Sequence, residues 1–170
     1  MVARFGGRPF FWQSFWPSRQ RLFILGGKIF PGATVKTRPE LTLDDCLKIS
    51  TAAQAEARKN NWNVSIAILD DGGHLLHFTR LDGATPANGV IAIEKARTSA
   101  MSRRSSGAWE DRFKAGRTAM LKMPGILPIQ GGLPIIVETT CVGAIGVSGV
   151  QSHEDEQICQ AGIDALLKQL

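Results

Sequence analysis

No stretch of the 170-residue chain approaches the roughly 18 consecutive apolar residues that a helical membrane span needs, so no span is expected. Cysteine is scarce. Cys46, Cys141 and Cys159 are the only three, none forms a CxxC pair, and the odd number argues against a disulfide framework or a zinc site. They read as reduced thiols of a cytoplasmic protein. Histidine is equally sparse: His74, His77 and His153 lack the spacing of a metal-binding helix motif. No Walker loop or dinucleotide fingerprint occurs. The stretch Gly143 to Gly149 holds a GxxG and Ser148-Gly149, but outside the strand–turn–helix setting that phosphate and nucleophile motifs require. Ser148 has no His/Asp grouping near it, so a hydrolase is not expected.

Acidic residues are missing from positions 1–38, which carry seven Lys/Arg and therefore +7. The other 13 basic residues and all 15 acidic ones lie in 39–170, giving −2 there, although the whole chain is +5. A duplex binder needs cations grouped on its folded surface, so nucleic acid is not expected as a partner. The same leader holds eight of the twelve aromatics and is broken by Pro9, Pro17 and Pro31. It reads either as an organellar targeting segment or as upstream sequence translated from an early start, and it is set apart from a domain at 39–170.

What is present is ordinary globular composition, 44% hydrophobic and 21% charged. Thr42 caps a first helix with two acids behind it, and Leu43, Leu47, Ser50, Ala53 and Ala57, widened by Cys46 and Ile49, form its apolar stripe. Asn63–Leu69 and His74–Leu81 read as a hairpin across Asp70-Asp71-Gly72-Gly73. After the loop 82–86, Val90–Ser102 reads as a helix, and 103–122 as irregular with a helical turn near Trp109–Phe113. Ile126–Ile129 is a candidate strand. Leu133–Glu138 and Cys141–Ser148 form a second hairpin, and Ser152 begins a last helix with capping-box spacing to Asp155. Hairpins require antiparallel neighbours, so the expectation is an α+β domain with a five-stranded antiparallel sheet and flanking helices.

Several residues are candidates for binding. Lys95 and Thr98 are three apart on one helix face, where a cation and a hydroxyl can hold a carboxylate; the plainer reading is a solvated helix surface. Gly143 and Gly146 either approach a ligand or leave room for a helix. His74 follows the turn and reads as exposed, His77 lies mid-strand on the other face, and His153 sits in an acidic first turn.

Five ordered segments carry a family resemblance. They are Val64–Leu75 with its Asp70-Asp71-Gly72-Gly73-His74 turn, Arg80-Leu81-Asp82-Gly83-Ala84, Lys95-Ala96-Arg97-Thr98, Gly131-Gly132-Leu133-Pro134-Ile135 and Val142–Gly149. From about residue 41 onward the chain resembles the GlcG/HbpS-like family, which includes the C-terminal domain of PduO-type cobalamin adenosyltransferases. Val150 departs from the glycine usual there, and Ser105-Ser106 from the usual Pro-Thr. The resemblance implies a profilin-like fold, homo-oligomers and, for some members, haem. Haem needs an apolar slot, cations for its propionates and optionally an axial base. Lys95, Arg97 and Arg80 are the cation candidates, and His74, His77 and Met101 the axial ones. The alternative is an accessory enzyme or binding module for a small carboxylate or a diol-derived metabolite. In that reading Lys95 and Thr98 hold the anion and backbone N–H groups near Gly131-Gly132 or Ser148-Gly149 assist. A third reading is a partner-binding module. Whether the chain catalyses a reaction stays open at this point.

Overall fold

A computed structural model describes residues 36–168, so nearly all of the basic leader lies outside the described residues. The elements follow in the order α1 (Leu43–Lys59), β1 (Ser65–Asp70), β2 (Leu75–Arg80), α2 (Pro86–Ser102), α3 (Ser106–Lys114), a 3-10 turn (Thr118–Lys122), β3 (Gly132–Val137), β4 (Thr140–Ser148) and α4 (Ser152–Leu167). The strands form one antiparallel sheet in the order β2-β1-β4-β3.

Among the described residues the sheet has four strands, not five. The expected strand at Ile126–Ile129 does not form. Pro128 has no N–H to give, the Leu127 N–H donates to Thr98 Oγ1 of α2 at 2.7 Å, and the Ile129 N–H turns back to the Leu127 carbonyl. The segment is bound to a helix rather than to a sheet edge.

Strand alternation sorts the core into two layers. Ile66 and Ile68 of β1, with Ile145 and Val147 of β4, meet Ile49, Ala53, Ile158 and Ile163 of α1 and α4. Ala67 and Leu69 face the other way, onto Ala92 and Ala96 of α2. Gly146 decides how closely α2 approaches. A Cβ there would lie 2.5 Å from the Ala96 nitrogen and closer still to the Ala92 carbonyl oxygen, so only glycine fits under the helix. Gly162, which lowers helix propensity by about 1 kcal/mol, is accounted for in the same way: its Cβ would lie 3.0 Å from Ile49 Cγ2 in the α1–α4 contact.

The first helix begins where its cap requires. The Asp45 N–H donates to Thr42 Oγ1 at 3.2 Å, and the Thr42 N–H donates to Asp45 Oδ2 at 3.0 Å. Its buried face is Cys46, Ile49, Ser50, Ala53 and Ala57, whereas Leu43 and Leu47 of the expected stripe are exposed. Two boundaries also shift. Helix α2 starts at Pro86, whose missing N–H costs nothing in a first turn. Helix α4 is capped by Gln151 with Glu154, one residue before the expected Ser152.

The Thr42 hydroxyl first, then the Thr42 N–H, hold the Asp45 carboxyl below its ordinary range. A depressed carboxylate adds stability above the ordinary range and loses it as pH falls through the folded value. Thr42→Ala is therefore expected to cost about 1 kcal/mol near neutral pH. In urea denaturation that deficit should shrink as pH is lowered into the carboxylate range; a deficit independent of pH would contradict the reciprocal cap.

Candidate functional site

Three groups of candidate residues occupy three different places. The first is internal. Lys95 and Asp155 are only 2% and 1% exposed. Lys95 Nζ donates to Asp155 Oδ2 at 2.7 Å and to the Val147 carbonyl at 3.1 Å, and Asp155 Oδ1 accepts from the Val150 N–H at 3.2 Å. Burial pushes the Asp155 carboxyl up, while Lys95 and the Val150 N–H pull against it. Gly131 closes the wall: it has φ 115°, and a Cβ would lie 2.7 Å from Lys95 Nζ. The neighbouring Gly132 N–H donates to Ser106 Oγ at 2.9 Å. Thr98 Oγ1 donates to the Glu94 carbonyl at 2.8 Å and accepts from Leu127.

Lys95, Gly131 and Gly132 thus meet at an interior junction of α2, β3, β4 and α4, whereas the Thr98 hydroxyl is turned to the Gly125 and Leu127 backbone. Lys95 is not a solvated surface lysine, and its ammonium is already partnered and closed to an anion from solvent. Both departures from the family pattern have structural roles: at Ser105-Ser106, Ser105 Oγ caps α3 by accepting from the Ala108 N–H and Ser106 Oγ accepts from the Gly132 N–H, while the Val150 N–H donates to Asp155 Oδ1.

The second group surrounds the β1–β2 turn. Asp70 Oδ1 accepts from the Gly72 N–H at 2.9 Å and the His74 N–H at 2.8 Å, and Asp70 Oδ2 lies 3.3 Å from His74 Nδ1. Partial burial raises the Asp70 carboxyl, but the two N–H groups and the His74 ring outweigh it and hold the pKa below the ordinary value. The His74 side chain is 82% exposed. Gly73 is buried with φ 84°, and a Cβ on it would lie 3.2 Å from Arg97 Cγ and 3.3 Å from Met101 Cγ. Arg97 Nε donates to the Gly73 carbonyl at 3.3 Å, and its guanidinium pairs with Glu94. The turn therefore gathers His74, Arg97 and Met101. Exposed Leu75, Phe78 and Val90 continue an apolar surface beside them, with Phe78 Cζ lying 3.2 Å from where a Gly89 Cβ would be.

His77 does not join this group. A register shift pairs Leu69 with Leu75 and Ile68 with His77, so His77 lies on the α1 side of β2. Its Nε2 is 3.0 Å from both Ser50 Oγ and Thr79 Oγ1. His153 is exposed on α4.

The third group lies at the other end of β2, roughly 16 Å from Leu75 by strand rise. Ser65 pairs with Arg80 on one side and Ser148 on the other. Gly149 packs on the neighbouring Asn63–Val64 backbone. Arg80 is therefore too far along the strand to share a small ligand with His74. Among the described residues no three His, Cys, Asp or Glu side chains are grouped so that they could hold a metal ion. All three cysteines are free and buried, and burial pushes each thiol up.

The HbpS-like family, described as "Haem degrading protein HbpS-like", matches residues 41–164. The chain belongs to the HbpS-like family. It is 44% identical to GlcG of Escherichia coli strain K12 over 114 residues, which are 67% of this chain and 85% of GlcG. A crystallised double mutant of Streptomyces reticuli HbpS aligns with a TM-score of 0.73 at 30% identity, covering 88% of this chain and 99% of that one. The crystal structure of the PduOC–heme complex aligns with a TM-score of 0.70 at 22% identity over 75% of this chain and 95% of that one, a likeness of fold. The HbpS-like match spans the turn, the lysine helix and both glycine segments. The Asp155 partner of Lys95, 60 residues away, carries no sequence signal that pairs the two.

Proposed function

We propose that this HbpS-like chain is a haem-binding protein that stores, senses or slowly degrades haem, with His74 as axial base on the apolar surface of β2 and α2. The Asp70–His74 arrangement carries the reading. A metal-ligating imidazole commonly gives its other ring nitrogen to a carboxylate, which fixes the ring and the tautomer. Here Asp70 meets Nδ1 at 3.3 Å, which leaves Nε2 to face outward on a side chain that is 82% exposed. The surroundings fit the group. Leu75, Phe78 and Val90 offer apolar area for a macrocycle, Arg97 is a cation for a propionate, and Met101 offers a thioether at the same turn. When bound, haem supplies a redox-active iron; the chain supplies the slot, the oriented base and the charge. The family description and the PduOC–heme complex point to the same ligand class.

The alternative in which Lys95 and Thr98 hold a small carboxylate has no geometric support, because both are satisfied internally. Free buried thiols favour a cytoplasmic setting, and the exposed Leu43 and Leu47 favour a homo-oligomer.

Hemin added to the purified chain is expected to shift and sharpen the Soret band. Asp70→Asn should weaken binding about 10–100-fold by releasing the ring, and His74→Ala should change the iron's spectral signature. A wild-type titration without a Soret shift, or identical spectra for wild type and His74→Ala, would overturn the assignment.

A further inference from the structure

We propose that the lobe formed by α3 and the 3-10 turn is a second binding surface, which seats on an anionic phospholipid bilayer. The domain is electrically lopsided. Residues 103–122 hold six Lys/Arg and two acids, +4, whereas the rest of 39–170 holds seven Lys/Arg and thirteen acids, −6. The same lobe leaves large apolar side chains in solvent: Leu121 is 57% exposed, Met123 44% and Phe113 36%. Cations interleaved with exposed apolar side chains are the composition of an element that lies in a membrane interface.

These groups share one small body. Trp109 Nε1 donates to Ser102 Oγ at 2.9 Å, which fixes α3 on the end of α2, and the Arg112 guanidinium lies 5.1 Å from the centre of the Trp109 ring. The Arg117 N–H donates to the Arg112 carbonyl at 3.1 Å and the Met123 N–H to the Met120 carbonyl at 3.0 Å, so the chain folds back over the end of α3. An apolar cleft of about 370 Å³ joins Trp109 of α3 to Arg117, Met120 and Met123. Between residues 111 and 124 Met120 alone is buried. The lobe therefore stands out from the domain, and its charges lie on its outside whichever way each side chain turns. An interfacial element sinks about 5–10 Å into the headgroup layer, and at physiological salt a cation senses an anionic surface from about 8 Å away. A lobe of this size enters as a unit.

The cations are free to meet a partner. Arg103, Arg104, Arg117 and Lys122 are exposed and form no ion pair among the described residues. The apolar side chains decide which partner. A nucleic-acid backbone engages the cations and gains nothing from Leu121 or Met123, whereas a bilayer of anionic lipid takes both. A second copy of the chain has few carboxylates to offer: Asp45, Asp70, Asp71, Glu94 and Asp155 already accept from groups of their own chain.

The test uses the full chain and vesicles of phosphatidylcholine with or without phosphatidylglycerol, read by co-sedimentation and by hydrogen exchange. Vesicles with phosphatidylglycerol are expected to bind, more weakly as salt rises, and to protect the peptides spanning 111–124. Arg117→Gln with Lys122→Gln should weaken binding about 30-fold, since each cation near an anionic bilayer contributes roughly fivefold. Leu121→Ser should weaken it severalfold and leave the salt dependence as it was. Lys48→Gln with Lys59→Gln removes the same charge from α1 and should leave binding unchanged. All five side chains are exposed, so the melting temperature should hold in every variant. His74→Ala should not affect vesicle binding, so this surface and the haem reading are judged separately. Equal binding to both kinds of vesicle, or equal losses in the two double variants, would overturn the proposal. Unprotected 111–124 peptides would do the same and leave the basic positions 1–38 as the binding segment. Tighter binding of a single-stranded oligonucleotide, indifferent to Leu121→Ser, would make the partner a nucleic acid instead. Self-association lost in Arg117→Gln with Lys122→Gln, without any vesicle binding, would make it a second copy.

Discussion

Lys95→Met is expected to lose about 3–5 kcal/mol of stability, a large share of the roughly 5–15 kcal/mol that holds an ordinary domain folded. The loss does not measure the strength of the ion pair. It is the cost of leaving the Asp155 carboxylate in a space only 1% exposed with its cation gone. Burial already pushes that carboxyl up, and Lys95 is the largest force opposing it. Without the lysine, Asp155 takes up a proton on folding, and the variant is expected to be less unstable at acidic pH than at neutral pH. The sign follows from linkage: a carboxyl raised in the folded state binds more protons there than in the unfolded chain, so stability falls as pH rises. Asp155→Leu alone should be comparably damaging, since it strands the ammonium. The double replacement Lys95→Met with Asp155→Leu should recover much of the loss, because two apolar chains of similar volume need no desolvated charge. Urea denaturation followed by circular dichroism reads all three. Single variants within about 1 kcal/mol of wild type would show that water reaches the pair.

The second large effect is expected at Gly146. Gly146→Ala should cost about 3 kcal/mol or more, at the upper end of ordinary overpacking, even though alanine is the better residue in an unconstrained strand. The added methyl group would meet helix backbone, not a side chain that can rotate away: it lies 2.5 Å from the Ala96 nitrogen and 2.9 Å from the Ala96 Cβ. Relief requires α2 to lift from the sheet. That helix also carries Arg97 and Met101, so the hemin titration should weaken together with the melting temperature. Gly116→Ala serves as the comparison. Nothing lies within 4 Å of its added Cβ, and its φ of 90° leaves only a backbone penalty, about 1–2 kcal/mol. Equal losses at the two glycines would mean that strain at Gly146 is absorbed elsewhere.

Much of this architecture can be read from local chemistry. Asp70-Asp71-Gly72-Gly73 forces a hairpin because few other residues accept the turn's backbone, and Thr42 with Asp45 marks a helix start because two donors need acceptors there. Periodicity reads less reliably where small residues dominate. In α1 the exposed Leu43 and Leu47 outweigh Ala53 and Ala57 on any hydrophobicity scale, yet the alanines are buried beside Ile49 and the leucines are not. Ile126–Ile129 has strand composition, but Thr98, 29 residues upstream, takes the N–H that a neighbouring strand would have used.

The binding residues divide along the same line. The Asp70–His74 contact spans four residues of one turn and is open to inspection in the sequence. The Lys95–Asp155 contact depends on β3 and β4 bringing α4 beneath α2, and no spacing rule anticipates it. Glycine has two meanings here that composition does not separate. Gly73 makes room for Arg97 and Met101 at the turn, while Gly132 and Gly146 make room for the backbone of α2.

The three sulfhydryls, sealed under helices and sheet, give the molecule a built-in gauge of its own opening. A thiol held protonated reacts slowly with alkylating reagents, because the thiolate is the nucleophile. Cys159 sits at the α4–sheet contact, 3.3 Å from the Gly131 carbonyl, so it should be modified only when that contact parts. Cys46 belongs to the first helix and Cys141 to the start of the last strand. The order in which mass spectrometry finds the three sites labelled therefore reports which layer of the protein peels away first.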